Sequence, residues 1–247
     1  MTDPVYLLLV FAAGIAAGVI NISAGGGSML TVPVMIFLGM DPLVANGTNR
    51  FGIIVQNTVA IEGFRRRGLG YFGTSFKLGL WALPGALIGA WLAAHIDADL
   101  FQRILSIVMV VSALSLLLPA KHDVDITHPP HWLLAGPALF IIGLYGGFVQ
   151  VGVGFLLMLG LRHLLRLDLL RINVHKVFIV LIYTLPALTV YAAMGQVDWL
   201  AGAALAAGNA LGAWLGIRLA MHGGERLIRW VVAVAVIAMG IKLLLAR

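Results

Sequence analysis

The chain has 247 residues, of which 61% are hydrophobic and only 11% charged, and its mean hydropathy is +1.03. So few polar side chains cannot cover a water-soluble domain, and an all-α polytopic membrane protein is expected instead. Disorder, collagen and a disulfide scaffold fall on the same numbers, since Gly 30 has no three-residue period and Cys is 0. The net charge of +6 reports membrane sidedness before it reports nucleic acid, which is not expected as a partner.

Met1-Thr2-Asp3-Pro4 has no basic n-region, so the first apolar run, Val5 to Ile22, is expected to stay in the membrane. Further runs follow at Met29 to Met40, Val44 to Ile61, Phe76 to Ala94 and Leu100 to Leu118. After the polar stretch Pro119 to His131 come Trp132 to Val149, Val153 to Leu161, Val174 to Ala193, Trp199 to Leu219 and Leu227 to Leu245. Eight of these ten reach the roughly 17 to 25 residues that a membrane helix needs. The runs from Met29 and Val153 are shorter, and each follows a Gly-broken turn. Each therefore reads as one limb of a helical hairpin dipping into the protein, where irregular backbone is tolerated against a cavity.

The polar stretch divides the chain into a first repeat (1–118), a cytoplasmic linker (119–131) and a second repeat (132–247). Gly14-x3-Gly18-x2-Asn21 matches Gly143-x3-Gly147-x2-Gln150, Asn49-Arg50 matches His175-Lys176, and Gly85-x3-Gly89-Ala90-Trp91 matches Gly208-x3-Gly212-Ala213-Trp214. This is the pattern of a duplication, each copy holding one broken hairpin and three transmembrane helices. With the repeats inverted and the N-terminus outside, eleven basic residues (Arg65, Arg66, Arg67, Lys77, Lys121, Arg162, Arg166, Arg171, Arg218, Arg226, Arg229) face inward and three (Arg103, Lys242, Arg247) outward. A parallel repeat divides the same fourteen evenly, so the positive-inside rule selects inversion. Arg65 to Arg67 then set topology and meet anionic lipid.

Two basic residues remain, Arg50 and Lys176, both inside apolar runs. Intramembrane cations are costly and mark substrate paths. Asn46, Asn49, Arg50 and Asn57 share one third of their helix's circumference, as do Asn173, Lys176, Tyr183 and Thr184. Two polar stripes carrying cations without nearby carboxylates favour a small anion, held by Arg50 and Lys176 together, over a sodium site or carboxylate relay. The turn Asn21, Ser23, Gly25, Gly26, Gly27, Ser28 precedes a short helix whose first N–H groups are expected free to face the anion. Gln150, Gly152 and Gly154 form the second, unequal copy. His175, beside Lys176, is the titratable group that could couple anion to proton movement. Helix–helix hydrogen bonding is the competing reading for each amide and for His175, and tight packing for the glycines. Trp91 and Trp214 read as helix packing. His122, Asp123, Asp125, His128 and His131 read as a solvated linker, so no metal or cofactor is expected.

Gly14 to Pro33, followed by Ala45-Asn46-Gly47-Thr48-Asn49, resembles the sulfite exporter TauE/SafE family of membrane permeases. The resemblance covers the chain and implies a bacterial inner-membrane, multi-pass exporter of sulfur-containing anions such as sulfite or sulfonates. The second half departs from that pattern at Gly152-Val153-Gly154-Phe155 and Asn173-Val174-His175-Lys176. An anion channel, and an intramembrane serine protease using Ser23 with His175, are the other function classes. Beside the anion and membrane lipids, a second copy of the chain, in a homo-oligomer, is the remaining candidate partner.

Overall fold

The computed structural model describes residues 3–24, 26–117 and 131–219, with backbone alone for a few side chains, Ser23 among them. Gly25, most of the linker and the run Leu227 to Leu245 lie outside the described residues. Nine helices are described: α1 (Pro4–Ala24), α2 (Ser28–Phe37), α3 (Pro42–Arg65), α4 (Phe72–Ala94), α5 (Ala98–Leu117), α6 (Trp132–Phe148), α7 (Val153–Leu165), α8 (Leu169–Ala193) and α9 (Trp199–Leu219). Four of them, α1, α4, α8 and α9, are both long and apolar enough to cross a membrane. The 24-residue α3 has the length, but its amides, Arg50, Glu62 and Arg65 lower its hydropathy. The short helices α2 and α7 have 10 and 13 residues, as their bounding turns predict.

The scarce acids are spent on helix starts. Asp3 accepts from Val5 N–H, Asp41 from Leu43 and Val44, Asp97 from Asp99 and Leu100, Asp168 from Arg171, and Asp198 from Leu200 and Ala201. Each satisfies orphan donors of a first turn, which keeps carboxylates at helix ends and away from the middle of the bundle. Glu62 pairs with Arg65 and Arg66 on the surface.

Packing crosses the halves. Helix α1 lies on α9, and α4 lies on α6, through the Gly-x3-Gly pairs. A Cβ on Gly147 would fall 2.0 Å from Ala86 O, and one on Gly18 2.6 Å from Asn209 O. A Cβ on Gly89 would meet Leu144 O and one on Gly212 would meet Ile15 O, at 2.0 and 2.2 Å. Small residues allow backbones to approach this closely where no hydrophobic drive separates helix from lipid. The two interfaces use the same positions: Gly85 meets Phe140 three residues before Gly143, and Gly208 meets Phe11 three residues before Gly14. Trp91 and Trp214 do not serve this packing; they are 55% and 45% exposed, because two residues beyond a buried glycine is the outer face of the helix. Arg218 stacks 3.7 Å from the Trp214 ring centroid.

The central helices α3 and α8 pack against each other and run antiparallel: Asn46 reaches Tyr191, Ile53 shares a cavity with Val180, and Tyr71, just after α3, touches His175. They start and end alike. Asp41 and Asp168 cap them, and at the same spacing downstream Gly68 (φ 76°) and Gly195 (φ 69°) close their C-terminal ends in the left-handed region. Between these caps Thr48 Oγ1 accepts from Asp198 N–H at 2.9 Å, and the equivalent His175 Nδ1 meets Ser75 Oγ at 2.8 Å.

Candidate functional site

Counting from those shared caps, Lys176 stands where α3 has Asn49, and Arg50 stands where α8 has Val177. The residue-type match of Asn49-Arg50 to His175-Lys176 is therefore one position out of register. One residue is about 100° of helix, enough to send the two cations in different directions.

Arg50 is fully buried. Its guanidinium covers the end of α6: Nη1 donates to Gly146 O and to Gln150 Oε1, both at 3.2 Å, and Nη2 donates to Gly147 O and, at 3.3 Å, to the Tyr191 hydroxyl. The Tyr191 ring lies 4.5 Å below it. Asn46 Nδ2 donates to Phe148 O at 2.9 Å and to the Tyr191 hydroxyl at 2.8 Å. The last carbonyls of a helix have no internal partners, and the negative end of its dipole favours a cation. Here α3 and α8 supply both at a helix end broken inside the protein.

Lys176, 1% exposed, takes the corresponding place at the other broken helix. Its Nζ donates to Asn21 O, in the last turn of α1, and to Asn173 Oδ1, both at 2.8 Å, with Met158 Sδ 4.0 Å away. Unlike Arg50, it lines a cavity. That cavity is bounded by Asn21, Ser28, Ile53, Asn57, Gln150, Val153, Gly154, Lys176 and Val180, and is narrow, with room for about one water. Asn21 and Gln150 both line it, as do Ile53 and Val180, so the lining draws on equivalent places in both halves. Asn57 is 1% exposed, and among the described residues its Nδ2 has no hydrogen-bond partner. Among the described residues, no carboxylate borders the cavity.

The remaining residues of the sequence reading divide. Asn21, Ser28, Asn57, Gln150, Gly154 and Lys176 come together at the cavity. Ser28 Oγ donates to Gln150 O at 3.1 Å, joining the two turns. Asn49 is held by the Thr31 hydroxyl at 2.6 Å, and its Nδ2 is without a partner among the described residues. Asn46 and Arg50 go to the end of α6, and Asn173 only orients Lys176. His175 turns to Ser75 on α4 and is not part of the cavity lining. Gly27 has ordinary helical φ, and its missing side chain is filled by α1: a Cβ would sit 2.4 Å from Ala17 O. The expected free N–H groups of α2 are partly used, because the turn lets Met29 donate to Gly26 O and Leu30 and Thr31 to Gly27 O. Left-handed backbone occurs instead in the second turn, at Gln150 (φ 61°) and Gly152 (φ 74°). Sequence reasoning missed the apolar lining, Ile53, Val153 and Val180, and the Tyr191 brace; Asp-to-Gly spacing was the available signal for the register.

The model of the family described as sulfite exporter TauE/SafE matches residues 10–243. The chain belongs to that family. A probable membrane transporter protein of Sinorhizobium is 32% identical over 243 residues, covering 96% of this chain and 92% of the relative. Probable membrane transporter proteins of Haemophilus influenzae and Escherichia coli are each 29% identical, over 96% and 99% of this chain and 94% and 91% of theirs. No solved structure matches. The protein is thus a multi-pass bacterial membrane protein of a transporter family.

Proposed function

We propose that this protein is a secondary transporter that exports small sulfur-containing anions, such as sulfite or organosulfonates, across the bacterial cytoplasmic membrane, binding the anion between two inverted repeats (1–118 and 132–247, joined by 119–131). The observation that carries the reading is the cavity between the halves. Among the described residues, a buried ammonium and an unpartnered amide N–H border it, and no carboxylate does. Such a lining stabilises an oxyanion and repels nothing of its charge. Inversion is supported by the antiparallel run of α3 and α8 and by Arg171 lying over Tyr71, which brings the basic residues of both halves to one side. A cysteine at position 66 should then resist an external membrane-impermeant thiol reagent; external labelling would overturn the orientation.

The test of function is sulfite binding to the purified protein, read as a rise in melting temperature with sulfite against chloride and carboxylate controls. Lys176→Gln should weaken it by more than about thirtyfold, as expected on removing one partner of a desolvated charged contact. Unchanged affinity would remove Lys176 from the site. In proteoliposomes the flux should saturate and follow a gradient; a non-saturating conductance would make the protein a channel.

A further inference from the structure

We infer that Arg50 is a positioning residue: it does not touch the transported anion but fixes the Gln150 side chain, so that Gln150 presents an N–H donor to the cavity. This rests on the anion-transport reading above. Arg50 is absent from the cavity lining, and its two terminal nitrogens are already engaged by Gly146 O, Gly147 O, Gln150 Oε1 and the Tyr191 hydroxyl. A guanidinium only donates, so the Gln150 group facing it at 3.2 Å must be the amide oxygen. The amide NH2 then points the other way. Gln150 lines the cavity with Lys176 and Asn57, and among the described residues its Nε2 has the Tyr183 hydroxyl beside it, with no hydrogen bond that meets the usual distance and angle. The backbone of Gln150 is equally fixed, held in the left-handed region with its carbonyl taken by Ser28.

Without Arg50 the amide could turn its oxygen inward and set a lone pair against an anion. The one-residue offset between the cations thus gives them separate tasks: Lys176 supplies charge at the cavity, and Arg50 supplies orientation from behind it.

A double-mutant cycle on sulfite affinity separates this from direct contact. Arg50→Lys keeps the charge but loses the fork that spans the end of α6 and Gln150 at once. Arg50→Lys and Gln150→Ala should each weaken sulfite binding about tenfold, and the double variant should stay near tenfold, because both remove the same oriented donor. A double variant weakened about a hundredfold, or Arg50→Lys with wild-type affinity, would overturn the positioning role. Gln150→Glu offers a second arm that does not strain the fold, since Arg50 gains a carboxylate partner while the second oxygen replaces the donor at the cavity. It should bind sulfite more than about tenfold more weakly with the melting temperature of the ligand-free protein undiminished. Retained affinity there would also overturn the proposal. Absence of sulfite binding to the unchanged protein would instead overturn the anion reading beneath it.

Discussion

The ends of α1 and α6 meet the same physical problem and solve it with different residues. Both helices stop inside the protein, leaving carbonyls that neither water nor their own helix can satisfy. At α6 a guanidinium, a tyrosine and an amide together bind Gly146, Gly147 and Phe148. At α1 a single ammonium binds Asn21 O. The fuller arrangement holds both terminal nitrogens of its cation away from the cavity, whereas Lys176 lines the cavity. On the proposed reading the two halves carry one asymmetric site, in which the half with the stronger brace lends rigidity and the half with the weaker one lends charge.

The comparison is broken most severely at the glycine contacts that hold both halves together. Gly147→Val would push a side chain into Ala86 O, and Gly18→Val into Asn209 O, at would-be distances of 2.0 and 2.6 Å. Overpacking against flexible side chains costs about 1 to 3 kcal/mol, and backbone cannot move aside in the same way. Both variants should lose most of their folded yield in detergent, Gly147→Val the more completely, since its carbonyl also anchors Arg50. A Gly147→Val protein that purifies with the wild-type melting temperature would show that the α4–α6 contact is looser than its geometry.

Much of this was legible in the residues. Apolar run lengths located the helices and the two short limbs, and the Gly-x3-Gly pairs marked the close contacts. Spacing alone could not tell which helix each pair meets: Gly14 and Gly18 look like partners for any small-residue stripe, and only the fold brings them to Gly208 and Gly212 of the other half. The register of the cations was lost for a different reason. Matching basic to basic placed Arg50 opposite Lys176, whereas backbone features, the capping aspartates and the left-handed glycines, put Lys176 opposite Asn49. Caps are set by geometry and must stay in step, but a charge can move by one position when it takes up another task.

A smaller effect sharpens the comparison at Thr48 and His175. Each ties a central helix to the start of the next helix in the other half, Thr48 to Asp198 N–H and His175 to Ser75 Oγ. Thr48→Val and His175→Ala each remove one buried hydrogen bond, and about 1 to 2 kcal/mol of stability is expected to go with it. His175→Gln should leave sulfite affinity, and its pH dependence, within about twofold of wild type, since the ring is turned from the cavity. A shifted pH profile in that variant would return His175 to the anion path.

The smallest effect is the most direct comparison of the halves. Gly68 and Gly195 end α3 and α8 at φ 76° and 69°, and a Cβ on either would meet nothing within 4 Å. With no steric neighbour to confuse the reading, Gly→Ala at each reports only the cost of holding an L-residue left-handed, about 1 to 2 kcal/mol. Around both glycines the hydrogen bonds correspond: Leu69 donates to Phe64 O at 3.1 Å and Gln196 to Tyr191 O at 2.9 Å. Gly68→Ala and Gly195→Ala should therefore lower the melting temperature by the same small amount. The two sites differ in their surroundings only further out, where Gln196 also donates to Ala94 O at 3.1 Å and Tyr191 braces Arg50. A distinctly larger loss at Gly195 would mean that strain at the end of α8 reaches the α6 brace through Tyr191. Sulfite affinity should then fall in Gly195→Ala and not in Gly68→Ala.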